Sequence, residues 1–268
     1  SAALDSAFAQ TWPHCEVILV DDGSTDNSLA IAGHYESRGL RIVTQKNQGQ
    51  CSACNHALSL ARGDYIKFFD ADDLLSPETV AIQVAALAQH PGCLAYGEWA
   101  RFYTDPAEAV FIPRPGWHNA KPADWLVETW ADAQAMMQCG QFLIPRQLID
   151  RTGGWDERLT VINDFEFFAR LIAASQGMVF TPVAKLYYRS GLPGSLSGRR
   201  TAVAWQSAYF SVSLGTSHLL AVENSPRTRR VVAGVLQGLV YDMYPNMPAL
   251  ISELQTRIHA LGETLLEP

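Results

Sequence analysis

The sequence predicts an α/β fold in which a mainly parallel sheet is flanked by helices, with a C-terminal helical subdomain from about Thr201 onward. Three observations carry this expectation. Short apolar runs end in acidic turns, segments with helical spacing separate those runs, and the final quarter of the chain is helical in pattern throughout.

Glu16 to Val20 is the first such run, and it stops at the polar turn Asp21-Asp22-Gly23-Ser24. Thr25 or Asp26 can cap the helix that follows, which places Leu29, Ala32 and Tyr35 on one side and reaches Gly39, where a left-handed residue is wanted. Leu40 to Thr44 reads as the second strand. A polar loop from Gln45 to Gln50 leads into a helix with Ala53, Ala57 and Leu60 on one face, stopped by Gly63. Tyr65 to Phe69 reads as the third strand, ending in Asp70-Ala71-Asp72-Asp73. Ser76-Pro77-Glu78-Thr79 then opens a helix with Pro at its first position. Helices between consecutive strands imply right-handed crossovers and a ligand site at the carboxyl ends of the strands.

Between Gly97 and Gln141 the periodicity fails, and four prolines punctuate a stretch that contains Trp99, Trp117, Trp125 and Trp130. Long irregular segments of this kind line binding sites, and clustered tryptophans equally fill a core; both readings stand at this point. From Thr201 onward, Pro226, Pro245 and Pro248 mark the breaks between three helices.

A chain of 268 residues with 48% hydrophobic and 18% charged content buries a full core with room for an appended subdomain. The formal charge of -7 argues against nucleic acid as a partner, because phosphate backbones are held by clustered Lys and Arg. Five cysteines without framework spacing fit a reducing compartment. Cys51 and Cys54 form one isolated CxxC, too few ligands for a structural zinc, and read as helix residues. No apolar run reaches membrane-spanning length and no signal peptide opens the chain, so the cytoplasm is the expected location.

The chemistry concentrates in the acids. Two carboxylates about 4 Å apart repel by roughly 4 kcal/mol at an effective dielectric near 20, so the Asp70-Asp72-Asp73 turn favours a cation or protonation. All-oxygen ligation suits Mg²⁺ or Mn²⁺ bridging substrate phosphates. A solvated turn with helix-capping acids is the plain alternative. The second acidic turn, Asp21-Asp22, is expected to end a strand of the same sheet and to open onto the same edge, a nucleoside's length away.

Val20-Asp21-Asp22-Gly23-Ser24-Thr25-Asp26, then Asn47-Gln48-Gly49 with Ser52-Ala53-Cys54-Asn55, then Gly63 through Asp73, resemble in this order the signature of family 2 glycosyltransferases. Gly153-Gly154-Trp155-Asp156-Glu157 and Asn163-Asp164-Phe165-Glu166 are similar to the acceptor-side segment of that family, so the likeness runs from about residue 4 to 198. The resemblance implies a GT-A, Rossmann-like domain over residues 1–200, a helical subdomain over 201–268, and inverting transfer of a sugar from a nucleoside diphosphate to an acceptor hydroxyl. Such enzymes build polysaccharides or glycoconjugates on saccharide or lipid-linked acceptors, which makes peripheral membrane contact conceivable.

Carried over by position, the resemblance puts Asp22, Gly49, Asn55, Asp70, Ala71 and Asp72 at the nucleotide sugar. Asp22 faces the base, Asp70 the ribose, and Asp72 a Mn²⁺ or Mg²⁺ ion. Trp155, Asp156 and Asn163 fall on the acceptor side, and Asp164 is the general base. Read from the residues alone, Asp164 is either that base or the N-cap of a helix whose Phe165, Phe168, Ala169 and Ile172 face inward.

The family opens with an apolar strand and a Pro-x-Tyr-Asn-like turn, whereas Ser1 falls within the helix after it; the natural protein is therefore expected to carry residues ahead of Ser1. Cys54 stands where the family often has Arg, Asn163 replaces the first acid of a Glu-Asp pair, and Tyr188-Arg189-Ser190-Gly191 lacks the late His of the metal shell. These departures keep open a degenerate module that binds a nucleotide sugar without transfer. A DxD phosphatase is disfavoured, because Leu74-Leu75 supplies no Thr or Ser after the acids.

Overall fold

The computed structural model describes residues 1–131, 136–192 and 194–262. Residues 132–135 of the irregular stretch, Pro193 in the late Tyr-Arg segment and 263–268 of the expected subdomain lie outside the described residues. In chain order the elements are α1 (Ala2–Phe8), β1 (Val17–Asp21), α2 (Ser28–Gly33), β2 (Leu40–Thr44), α3 (Gln50–Leu60), β3 (Tyr65–Ile66), β4 (Leu74–Leu75), α4 (Thr79–Gln89), β5 (Leu94–Phe102), α5 (Pro122–Trp130), β6 (Phe142–Pro145), α6 (Arg146–Thr152), α7 (Asn163–Ala174), β7 (Met178–Arg189), α8 (Ala202–Val222), α9 (Pro226–Met243) and α10 (Pro248–Ala260).

The strands form a two-stranded sheet, β1-β2, and a five-stranded sheet in the order β3-β6-β5-β7-β4. Parallel pairing runs over five residues between β1 and β2 and nine between β5 and β7, while the three antiparallel pairings span two residues each. The ladder is therefore parallel over most of its length. The expectation that both acidic turns close strands of one sheet is corrected: β1 pairs only with β2 among the described residues, and Val17 to Val20 are only half-buried. The third strand is shorter than its sequence suggested, because β3 has one neighbour and meets it at only two residues.

The stretch expected to be irregular holds the end of β5 and all of α5. Its periodicity was illegible because β5 is covered on both faces, so apolar residues occur at almost every position rather than alternating. Trp125 and Trp130 belong to the main core and Trp99 to a small cluster with Leu75 and Leu186, which decides for packing over an open pocket at these three.

The main core runs without a break from β3, β5 and β6 through α5 and α7 into α8, α9 and α10. Its centre is aromatic: Phe142 stacks on Phe168 at 4.2 Å, Trp155 on Phe167 at 4.1 Å and Trp130 on Phe165 at 4.7 Å between ring centroids. The three C-terminal helices begin and end where the prolines placed them, with Pro226 and Pro248 in the first turns of α9 and α10. Among the described residues no helix is long and apolar enough to cross a membrane.

β5 and β7 lose register at Gly97, where Thr181 and then Lys185 face consecutive residues of β5 and Pro182 to Ala184 bulge out. A Cβ on Gly97 would sit 2.0 Å from the Ala184 carbonyl oxygen, a backbone atom that cannot step aside. Gly97→Ala is expected to lower unfolding stability by about 1–3 kcal/mol, the usual cost of overpacking, or to abolish soluble expression. An unchanged urea midpoint would show that the bulge yields freely.

Candidate active site

The site is organised by the N-terminus of α3. Gly49, at φ 93°, ψ 164°, precedes the helix in a conformation that suits glycine. Its N–H donates to Asp22 Oδ2 at 2.8 Å, while Gln48 N–H at 2.9 Å and Gln45 Nε2 at 2.8 Å donate to Asp22 Oδ1. Three of the roughly four acceptor sites of this carboxylate are thus occupied by the chain's own 45–49 loop. The next residue, Gln50, donates from Nε2 to Asp70 Oδ1 at 2.9 Å and accepts at Oε1 from Asn163 Nδ2 at 3.1 Å. One helix start therefore joins Asp22, Asp70 and the beginning of α7.

Asp70 is held above the ordinary carboxylate range by burial and by the neighbouring Asp72, against hydrogen bonds from Cys139 and Gln50 that favour its charged form. Ala71 and Asp72 are exposed at the tip of the turn. Asp73 is fully buried; it accepts the Arg189 N–H at 2.8 Å on Oδ1, while Oδ2 has no partner, and burial pushes its carboxyl up to about 8. Arg189 Nε also donates to the Asp72 carbonyl at 3.0 Å, so the end of β7 fastens the whole acidic turn.

Asp164 lies in the first turn of α7 and retains a solvent-facing part. The N-cap is Ile162, at φ 53°, and Asp164 Oδ1 accepts from Phe165 N–H at 2.9 Å, so the simple N-cap alternative does not describe it. Burial, and then the charge of Asp70, raise its carboxyl to about 7. A partly exposed carboxyl poised near neutrality has the properties of a proton acceptor.

Several expected site residues have other work. Asn55 uses both amide hydrogens on the Trp155 carbonyl, at 2.9 Å, and on Glu157 Oε1, at 2.8 Å, and accepts the Trp155 N–H at 2.8 Å. It clamps the 154–157 turn, with both amide hydrogens engaged by the chain itself. Trp155 is buried against Phe167, Phe68 and Phe168 and presents no open face to an acceptor. Asp156 is held by Arg158 at 2.6 Å beside a cavity shared with α8. Asn163 is buried, bonded to Gln50 and to the Cys51 sulfur at 3.2 Å. All five cysteines are free, and Cys51 and Cys54 are residues of α3 as the sequence suggested.

Sequence reasoning missed Gln50, Cys139, Tyr188 and the α8 serines, since none stands in an acidic motif. Ser207 Oγ accepts from Thr160 and Val161 N–H at 2.8 and 3.1 Å, and Ser211 Oγ from Glu166 N–H at 3.2 Å. Helix α8 thereby fixes the segment that delivers Asp164. The late Tyr-Arg pair was the only available pointer to Tyr188.

Two acidic turns gather around one helix start on an α/β scaffold with a helical end. Comparison with known proteins gives the family. Residues 1–151, more than half of the chain, match Glycosyl transferase family 2, and the chain belongs to that family of glycosyltransferases. It is 26% identical over 206 residues to an uncharacterized glycosyltransferase of Haemophilus influenzae, covering 75% of this chain and 77% of that protein. It is 29% identical over 194 residues to chondroitin synthase of Escherichia coli, covering 71% of this chain but only 26% of that one. The fold is that of S. aureus TarS residues 1–349, solved with UDP-GlcNAc, at a TM-score of 0.76 and 18% identity over 97% of this chain and 76% of TarS.

The raised carboxyl of Asp164 has a consequence for stability. Between pH 4 and about 7 the unfolded chain ionises this group while the folded chain keeps its proton, so the group's contribution to stability is lost as pH rises through that window. Asp164→Asn is therefore expected to be more resistant to urea than the parent at pH 8, with the difference shrinking toward pH 4.5. A difference that is constant with pH would contradict the raised value.

Proposed function

We propose that the protein transfers a glycosyl group from a nucleoside diphosphate sugar to an acceptor hydroxyl with inversion, Asp164 removing the acceptor proton. The observation that carries this reading is the convergence at α3: Gly49 on Asp22, Gln50 on Asp70 and on Asn163, with Asp164 the next residue of α7. Asp22 retains one acceptor position for a base or loop contact, and Asp70 lies deeper at the ribose end. Asp164 takes the proton as the acceptor oxygen attacks the anomeric carbon from the face opposite the diphosphate. Gln50 and Asn163 keep the base in register with the donor pocket, a contribution of orientation rather than of charge.

A divalent ion suits the acidic turn. Asp70 and Asp73 both carry protons more tightly than an ordinary carboxylate, first through burial and then through neighbouring carboxylates, and Asp73 Oδ2 is buried without a partner, so a cation there would favour their charged forms. The described residues offer no group of three His, Cys, Asp or Glu placed to enclose an ion, so Asp72 with Asp70 would hold Mn²⁺ or Mg²⁺ jointly with donor phosphate oxygens. When bound, such an ion supplies positive charge against the departing diphosphate.

TarS was solved with UDP-GlcNAc, which makes UDP-sugars the first donors to try. The acceptor belongs to the saccharide or lipid-linked class, and a cytoplasmic position with peripheral membrane contact through α8–α10 belongs to the same proposal. A second reading, a module that binds donor without transfer, is favoured by the buried surroundings of Cys54, where the family often carries Arg.

Asp164→Asn is expected to bind UDP-sugar with unchanged Kd and to lose about 10²–10⁴-fold in kcat, the range for removing a general base. Asp72→Ala is expected to lose the Mn²⁺-dependent part of donor binding, read by calorimetry. Full turnover by Asp164→Asn would refute the base, and donor binding without turnover by the parent across an acceptor panel would favour the second reading. In the active parent, kcat/KM should rise with pH through about 7 as Asp164 loses its proton.

A further inference from the structure

On one face of the β5-β7 pair, two arginines are laid on aromatic rings. Arg101 lies 5.9 Å from the Trp99 ring centroid and 5.4 Å from that of Tyr188, and Arg114 lies 4.0 Å from Trp99. Trp99 and Tyr188 meet edge to face at 6.3 Å, and Arg101 pairs with Tyr188 in the strand register. The rings support the flat guanidinium faces and leave their in-plane N–H donors pointing elsewhere.

Arg101 finds no countercharge there. Its hydrogen-bond partners are Ser190 Oγ at 2.9 Å and the Met136 sulfur at 3.7 Å, and no carboxylate lies within 4 Å of it among the described residues. Arg38, Arg62, Arg158, Arg170 and Arg227, by contrast, each reach an acid. Arg101 is exposed, is braced on two rings and bonds only neutral groups.

This shelf adjoins the catalytic cleft. Phe69, immediately before Asp70, packs with Trp99 and Tyr188 in one apolar cluster. Tyr188, pushed up to about 12 first by burial, also feels the carboxylates of Asp164, Asp73 and Asp70, while Arg101 opposes them. Tyr188 thus lies within electrostatic reach of both Asp164 and Arg101.

We propose that Arg101, with Arg114 beside it, forms a subsite for an anionic group, phosphate or carboxylate, carried by the acceptor. The acceptor hydroxyl enters beside Asp164 while its charged substituent lies over Tyr188 and bonds the in-plane N–H groups of Arg101. Specificity for a charged glycan or phosphodiester backbone over a neutral one then comes chiefly from Arg101, which offers positive charge at the edge of an otherwise acidic cleft. The proposal rests on the transferase reading for the direction of the acceptor, but it is tested by binding alone.

The experiment measures equilibrium binding of three probes of similar length: a neutral tetrasaccharide, its uronate-containing counterpart and a glycerol phosphate oligomer. Each is titrated into the parent, R101Q and R101K in the presence of UDP. The parent is expected to bind at least one charged probe about tenfold more tightly than the neutral one at low salt, as one charge-assisted contact provides. R101Q should erase that preference, R101K should retain part of it, and UDP affinity should be the same in all three. The favoured charged probe identifies the anion as carboxylate or phosphate. Equal binding of all three probes by the parent, or a preference that survives in R101Q, overturns the proposal. So does a loss of UDP affinity in R101Q, which would assign Arg101 to the donor. Failure of the base assignment would appear only in the turnover of Asp164→Asn, and the two outcomes stay separate.

Discussion

The arrangement of the site depends on the side chain of Gln50. Its amide donates to Asp70 and accepts from Asn163, and the backbone N–H immediately before it binds Asp22. Three segments far apart in sequence, after β1, after β3 and at the start of α7, are thereby tied to the first turn of one helix. The β1-β2 and five-stranded sheets share no ladder among the described residues, so helix α3 and its loop carry the relation between the two acidic turns. An amide suits this task because it both donates and accepts, whereas an acid in its place would add charge to a region that already holds two carboxyls above their ordinary range.

Around that centre, charge and burial are balanced against one another. Asp70, Asp73 and Asp164 are all shifted upward, with burial the largest cause for each, and Asp70 adds to the shift of both others. Lys67, one turn of chain before them, is buried and lowered to about 7, and it donates to the Gly140 and Phe142 carbonyls at 2.7 and 2.9 Å rather than to an acid. It braces the segment that brings Cys139 to Asp70. The backbone around the cleft is fixed in part by charged groups of the chain itself, Arg189 on the Asp72 carbonyl and the Asp22 carboxylate on the 48–49 amides.

Much of this was legible in the sequence. The strand at Leu40–Thr44, the three C-terminal helices and the inward face of α7 followed from periodicity and proline placement, and the acidic turns stood out by composition. β5 and β7 were hidden because strands covered on both faces lose alternation, and the bulge at Gly97 breaks what register remains. Asn55 and Trp155 show a different limit. Their motif marks a turn, yet whether such a residue touches ligand or holds a neighbour depends on partners a hundred positions away. Arg101 belonged to no motif at all, and its significance comes from the rings beneath it.

The Glu166-Arg170-His218 cluster carries a consequence for the unit that folds. Arg170 bonds Glu166 through Nε at 2.7 Å and also the carbonyls of Thr152, Gly153 and Gly154, while His218 of α8 reaches the same Glu166 carboxylate at 3.2 Å. The turn ahead of Asp164 is therefore anchored, through a buried ion pair, to a helix that begins about fifty residues after the segment matched to Glycosyl transferase family 2. A chain ended at residue 151 would lack Asp164, Glu166 and Arg170 along with α8, so the segment matched to the family is shorter than the unit that holds the acidic site together.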